Sequence, residues 1–580
     1  MQLVGHDYVR DRSVGHHGLA GIATLIRTAR QEAAEHGAAC ILLDNGDLLQ
    51  GNAMADQLAQ LPVTPTHPLV ACLNHLCYDA LGLGNHDLDF GLPYLRAVAG
   101  ALDMPLVSTN LHLSETGPLR QWAIVPCPLP SAEGRPSSTL RIGLLSVLPG
   151  KTAIWNRDVL EDEAKITCPL ESLRSAAPKL RAAGADLIVL LAHMGIADEA
   201  ESVTEEDVCA LAEVDGIDAV ITGHTHRRFP GQDHRARSGV DTQTGTLSGR
   251  PAAMPGFGGS DLAVLELALE RDAGGLWTVA RHESRLRCNS AETLADPVVL
   301  SAARLSHTGV RSHLEEIVGH TDRALHNFFS LAMPTAIDAL TARAQAKVIR
   351  ESVAGTPNGD LPILAAAAAH TAGGRGGPGH FLHIPQGPVQ RNHIAGLIPY
   401  RNDVWALRLT GADLRRRLET AAEVFALLGG AVGPLVDPRR PPFHFDTIYG
   451  VTYEIDPRRA RGDRIIDLSW QSEPVRSEQG FLLATNQFRA AGGGGFEGAA
   501  EADVALRSPL PLADALIAAL AEPGECFWPD AAPWRFNAAG AHSILHTSPE
   551  ALPFIEDIAH LSPVPCGMTP SGFAQIRICL

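Results

Sequence analysis

The sequence predicts an α/β protein of more than one domain, and three observations predict it. Helical patterns alternate with short apolar runs through the first half. At 580 residues the chain is long enough for two to four domains. Beyond a long helical stretch near residues 289–320 the pattern becomes mixed α/β with more loop. In order, "GLAGIATLIRTARQEAAEHG" has helical spacing and stops at a glycine, and "CILLDNGDLLQG" reads as strand and loop. "HPLVACLNHLCYDALGLGNHD" reads as helix, strand and a polar cluster. "PLVSTNL" (105–111) and "RIGLLSV" (141–147) read as strands. "SLRSAAPKLRAAGADLIVLLAHMG" is a helix leading into a strand, and "VDGIDAVITGHTH" ends the same way. Strands alternating with helices imply α/β layers around a sheet. "AETLADPVVLSAARLSHTGVRSHLEEIVG" reads as one helical bridge between domains. Later, "DVWALRLTGADLRRRLETAAEVF" predicts strand, turn and helix, and "FDTIYGVTYEID" an alternating strand. The expected domains are 1–288, a bridging helix at 289–320, and 321–580.

Composition bounds the function. With 47 Lys+Arg against 65 Asp+Glu the formal charge is −18. That argues against a nucleic-acid polymer as partner, because phosphate backbones call for a basic stripe. A single nucleotide remains compatible. No apolar run reaches membrane-spanning length, so no membrane partner is expected. The ten cysteines contain no C-x-x-C pair and read mostly as small buried hydrophobes.

Four apolar strands of the first half each end in a metal-type ligand. "ILLDNGD" ends at Asp47, "LGLGNHD" at Asn85 and His86, "LIVLLAH" at His193, and "AVITGHTH" at His224 and His226. Carboxyl ends of strands are where open α/β sheets build sites. Imidazole and carboxylate donors suit Zn, Mn, Fe or Co rather than a calcium cage. A carboxylate shared by two ions would make a two-metal phosphoesterase centre.

"GD" at 46–47, "GNHD" at 84–87, His193 and "GHTH" at 223–226 resemble the ordered motifs of calcineurin-like metallophosphoesterases. The resemblance implies a four-layer α/β/β/α sandwich in the first domain and two divalent ions. Asp47 would bridge them, Asn85, His193 and His224 would complete one ion, and His226 would serve the other. His86 would donate toward the phosphoryl or leaving oxygen, oriented by Asp89. Asp87 reads as a solvated loop carboxylate.

"PYRND" (399–403) and "ATNQFRAAGGGGF" (484–496) resemble the C-terminal domain of bacterial 5'-nucleotidases. That implies an α/β nucleotide-binding domain in which Tyr400 and Phe488 sandwich a base and Asn402 contacts it. "GHTHRRFPGQDH", "PAAMPGFGGSDLAVLEL", "ALHNFFSLA" and "TAGGRGGPGHF" are similar to the 2',3'-cyclic-nucleotide 2'-phosphodiesterase/3'-nucleotidase branch. Gly494 stands where true 5'-nucleotidases carry an Asp that holds the ribose hydroxyls. A site that accepts phosphate on those oxygens disfavours a carboxylate there. Arg375 is a candidate phosphate or ribose contact. The implied activity is metal-dependent hydrolysis of nucleoside 2',3'-cyclic phosphates to 3'-nucleotides, and of 3'-nucleotides to nucleoside and phosphate. The alternatives are a 5'-nucleotidase or nucleotide-sugar hydrolase, and a nucleotide-binding protein with an impaired metal site. The family implies a periplasmic location; "MQLVGHDYVRDRS" is no signal peptide, so a chain that truly starts at Met1 is expected to be cytoplasmic. The family's first strand ends in Asp-x-His, which would precede this stretch. The sequence therefore predicts that Met1 is not the native start and that the first-metal site of the 580-residue form is incomplete. That form is expected to bind about one ion, with little activity. His6, Asp7, His16 and His17 read as loop or helix-cap residues.

Overall fold

A computed structural model describes residues 2–115, 117–130, 138–160, 163–197, 207–429, 432–521 and 532–580. The chain divides into two compact units, 1–312 and 313–580.

Unit 1 begins its layers with helix α1 (Leu19–Glu35) and strand β1 (Leu43–Asp44), then α2 (Pro68–Leu76), β2 (Ala80–Leu81), α3 (Leu92–Ala101) and β3 (Leu106–Val107). Strands β1, β2 and β3 pair in parallel in one small sheet. A second sheet holds β4 (Ala123–Pro128) and β5 (Thr139–Val147). After the short helix α4 (Thr152–Trp155) and α5 (Pro169–Ala182) come β6 (Leu187–Ala192), β7 (Ala219–Thr222) and β8 (Arg250–Pro255). Strands β5 to β8 run parallel side by side, and β4 lies antiparallel against β5.

The alternation of side chains explains the layers. Along β6 every residue is buried, as expected for a parallel strand covered on both faces. Ile188, Leu190 and Ala192 pack with Leu173, Ala177 and Leu180 of α5. Leu187 and Val189 point the other way and pack with Ala80 and Leu43 of the small sheet. On that sheet's outer side Leu81 and Leu106 line an apolar cavity with Leu73 of α2 and Leu95 and Val98 of α3. Helix, sheet, sheet and helix thus form the expected four layers.

The bridging stretch differs from its sequence reading. Its helix, α6, runs only over Pro297–Leu314. Pro297 opens it, and Asp296 Oδ1 accepts the Val298 and Val299 N–H groups at 2.9 and 3.2 Å. A proline at the first helical position behind a capping Asp is a start signal that the longer reading overran. Most of α6 belongs to unit 1. Val299, Ala303 and Val310 are buried, His307 Nδ1 meets the Tyr8 hydroxyl at 2.9 Å, and Arg311 holds Asp11 through two hydrogen bonds.

Unit 2 is built on a five-stranded sheet of β9 (Ile363–Ala368), β10 (Asp403–Thr410), β11 (Asp446–Tyr449), β12 (Gly480–Asn486) and β13 (Val504–Pro511). Their spatial order is β11-β9-β12-β10-β13. Helix α7 (Gly411–Ala422) follows β10 with no intervening turn, because Thr410 and Asp413 form a capping box. The stretch "FDTIYGVTYEID" is not one strand. Residues 446–449 join the central sheet and Thr452–Ile455 a separate one. Phe328, Phe425, Phe445, Phe481 and Trp534 form the centre of this unit's core.

Asp296 is 4% exposed and also pairs with Arg27 at 3.2 Å. Asp296→Ala should cost about 1 kcal/mol through the lost cap. Calorimetry should show the melting of unit 1 lowered by a few degrees. An unchanged midpoint would mean that packing alone holds α6.

Candidate functional site

The polar cluster after β2 is organised by a buried acid. Residues 85–88 form one 3₁₀ turn. The Asp87 carboxylate, 1% exposed, accepts the N–H groups of Asp47, Leu48, Leu49 and Gly84 at 2.7 to 2.9 Å. The expectation of a solvated loop carboxylate is therefore corrected. Asp87 locks the loop after β1 to the loop after β2. The approach is so close that a Cβ at Gly84 would fall within 3.0 Å of Asp47 Oδ1 and N, so no side chain fits there.

This lock aims Asp47. Its Oδ1 accepts the His86 N–H at 3.0 Å, and its Oδ2 lies 3.0 Å from His193 Nε2. Burial alone would raise the Asp47 carboxyl; the charge of His193 and the His86 N–H outweigh it and hold the group below the usual range. His193 follows β6, with its Nδ1 2.7 Å from the Asn45 carbonyl oxygen, which leaves Nε2 to face the site. Asn45 in turn donates to the Ala192 carbonyl at 2.9 Å, so the two sheets are tied at their carboxyl ends. His224 follows β7, its ring centroid 5.5 Å from that of His193. Burial, and then the charge of His193, lower it to about 3, so its imidazole is neutral. His226 is lowered mainly by burial.

The ligand-type residues thus come from two sheets, two strand ends each. Asp47, His224 and His226 all have left-handed backbones, with φ of 57°, 68° and 58°. Such strain concentrates where surrounding structure fixes a functional side chain. Among the described residues no three His, Cys, Asp or Glu side chains form a ready-made cage. The donor set still fits a divalent ion. It joins a carboxylate and neutral imidazole to an amide, and the Asn85 Oδ1 is buried without a hydrogen-bond partner among the described residues.

His86 is a different kind of group. Its Nδ1 is 2.7 Å from Asp89 Oδ2. Burial lowers its pKa, but the hydrogen bond to Asp89 and the charge of Asp47 prevail and push it up to about 9. Asn156, not singled out by sequence, donates to Asp89 Oδ1 at 3.0 Å. Trp155, beside it, stacks on the His224 ring at 5.7 Å and 18°. Phe257 stacks on His226 at 4.9 Å and 16°. Each is an aromatic in a loop or short helix just past a sheet strand, and that position was the available signal. His17 lies against Phe257. His6 pairs with Asp11, and Asp7 caps the turn at Val9 and Arg10. His6 and Asp7 form a two-residue strand against Arg12–Ser13 rather than the loop or helix cap read from sequence.

In unit 2, Asn402 precedes β10 and its Oδ1 accepts the Phe488 N–H at 3.3 Å. Tyr400, two residues earlier, is 44% exposed. Phe488 is half-buried in the short helix α8 (Gln487–Ala490), with its ring over Gly493. The loop of Arg375 packs against Pro442 through Gly374, and Arg375 acts electrostatically on His444, which faces Gly495. Asn402, Phe488 and Gly494 are therefore brought together, with Arg375 on an adjoining loop.

The chain matches the calcineurin-like phosphoesterase family over residues 15–228 and the 5'-nucleotidase C-terminal domain over residues 308–501. It is 30% identical to the 2',3'-cyclic-nucleotide 2'-phosphodiesterase/3'-nucleotidase of Yersinia enterocolitica, covering 100% of this chain and 94% of that protein. It is 31% identical to the trifunctional nucleotide phosphoesterase protein YfkN of Bacillus subtilis over 85% of this chain, and spans only 35% of that longer relative. A solved Staphylococcus aureus protein assigned as a 5'-nucleotidase has the same fold. Its TM-score is 0.72 at 20% identity, covering 92% of this chain and 98% of that one.

Asp87→Asn sets an amide N–H₂ against main-chain N–H donors. It should cost about 2–3 kcal/mol and reduce divalent-metal uptake, read by thermal unfolding and elemental analysis. Wild-type values in both would show that the lock is dispensable.

Proposed function

The chain belongs to the 2',3'-cyclic-nucleotide 2'-phosphodiesterase/3'-nucleotidase family, which pairs a calcineurin-like phosphoesterase domain with a 5'-nucleotidase C-terminal domain. On that premise we propose that it opens nucleoside 2',3'-cyclic phosphates to 3'-nucleotides and then removes the 3'-phosphate. The observation that carries the reading is the convergence of Asp47, Asn85, His193 and His224 beside the His86–Asp89 pair.

We assign one divalent ion to Asp47, Asn85, His193 and His224, and a second to Asp47 and His226. The second set, among the described residues, is two protein ligands where a catalytic ion ordinarily has three. When bound, the ions neutralise phosphoryl charge and activate water for in-line attack. Zn, Mn, Co and Fe all suit these donors.

The chain's own groups supply the rest. Asp89 accepts from His86 Nδ1, which leaves the other ring nitrogen to give its proton to the leaving oxygen. Asn156 fixes the second oxygen of Asp89, so the carboxylate cannot rotate away from the imidazole. One site serves both steps, because each is a displacement at the same phosphorus. In unit 2, Tyr400 and Phe488 hold the base from its two faces, Asn402 fixes the backbone that presents Phe488, and Arg375 contacts phosphate or ribose. A stacked ring tolerates any base and is worth about 1–3 kcal/mol.

The test is turnover of 2',3'-cyclic AMP, 3'-AMP and 5'-AMP with Mn²⁺ or Co²⁺ supplied. The first two should exceed 5'-AMP in kcat/KM; a preference for 5'-AMP would overturn the substrate assignment. His86→Asn should cut kcat by about 10²–10⁴ while bound metal stays near wild type. Loss of the metal in that variant would make His86 a ligand instead. Phe488→Ala should raise KM for 3'-AMP by about tenfold or more, without an equal loss on bis(p-nitrophenyl) phosphate, which has no base. Equal losses on both would make Phe488 a structural residue.

A further inference from the structure

Behind the Phe488 ring lies an ion pair that no reading of the sequence singled out. Arg489 and Asp446 have side chains only 1% exposed and meet with Arg489 Nε 3.0 Å from Asp446 Oδ1 and 3.2 Å from Oδ2. Burying a full pair is costly unless the remaining donors are also used. Here they are. Arg489 Nη1 donates to the Gly493 carbonyl at 3.1 Å, and Nη2 donates to the Phe443 carbonyl. The Arg489 guanidinium also stands 4.8 Å from the centroid of Phe496. The Arg417 guanidinium lies 4.7 Å from the same ring, and its Nη2 donates to the Arg489 carbonyl. One side chain therefore ties β11, the 442–444 turn and the glycine loop 492–495 to the helix that presents Phe488.

The same side chain decides what position 494 can be. Gly494 has φ 75°, a conformation that L side chains rarely adopt. A Cβ there would collide with Arg489 Nη1, far inside 3.0 Å, and Arg489 is pinned by four hydrogen bonds rather than free to swing. We propose that the buried Arg489–Asp446 pair is the specificity-determining element of the substrate loop. It positions the loop beneath Phe488 and, by filling the space next to Gly494, excludes any acidic side chain from the stretch of loop that meets the sugar. A nucleoside carrying phosphate on its ribose then meets main chain and no opposing carboxylate. This inference rests on the proposed function and deepens it.

The experiment uses the full chain and reads adenosine binding by calorimetry alongside 3'-AMP kinetics. Asp446→Asn with Arg489→Met removes both charges together, so no lone charge is left buried. It should weaken adenosine binding about tenfold or more and raise KM for 3'-AMP by a similar factor, with kcat changed far less. Arg489→Lys should reproduce most of that loss, because a point cation cannot make the forked contacts. It also carries the test if the double variant does not fold. Gly494→Asp should abolish adenosine binding in the wild-type background and be tolerated better once the pair is gone. Adenosine affinity within twofold of wild type in the folded double variant, or in Arg489→Lys, would overturn the proposal. So would equal tolerance of Gly494→Asp in both backgrounds. Adenosine binding needs no turnover, so failure to prefer 3'-AMP over 5'-AMP would sink the proposed function while leaving this result readable.

Discussion

The site in unit 1 depends on one carboxylate that touches no substrate. Asp87 gathers four main-chain N–H groups from two loops about forty residues apart in sequence. A buried acid is tolerable only because each oxygen is satisfied this way. The result is a fixed distance between the ends of β1 and β2. That distance brings Asp47 up to the His86 N–H and, across the gap between sheets, to His193. Were the lock looser, the four strand ends would still exist but would not share a centre.

The candidate ligands were legible because their signal is local. An apolar strand that stops at Asp, Asn or His states both position and chemistry, and Asp47, Asn85, His193 and His224 all obey it. The resemblance implied two sheets, but which strands belong to each was not legible. Which strands pair is set by packing between residues such as Val189 and Ala80, which are far apart in sequence. Asp87 was misread for the same reason. Its own neighbours look like an exposed turn, and most of the N–H groups that donate to it come from the loop at 47–49. Trp155 and Asn156 lie in "GKTAIWNRD", just past a strand; that position was a signal, but nothing local pairs them with His224 and Asp89. The start of α6, by contrast, was written in "DP" at 296–297, and the longer reading passed over it.

Unit 2 repeats the logic with the charge pair reversed in role. Arg489 is the hub and Asp446 its counter-ion, and the loops they bind present the aromatic ring rather than a metal ligand. The motifs "PYRND" and "TNQFRA" marked Asn402 and Phe488 as candidates. They could not give the Arg489–Asp446 pair, because Asp446 sits 43 residues upstream on a separate strand. In both units a buried charged side chain holds together loops that carry candidate site residues.

The central claim is that strand ends from two sheets form a divalent-metal centre. Titration of the purified chain with Mn²⁺, followed by electron paramagnetic resonance, tests it directly. The account predicts a bound Mn²⁺ signal that weakens about tenfold or more in affinity when His224→Ala removes a neutral imidazole donor. A chain that takes up no Mn²⁺, or one whose uptake is the same without His224, would contradict it.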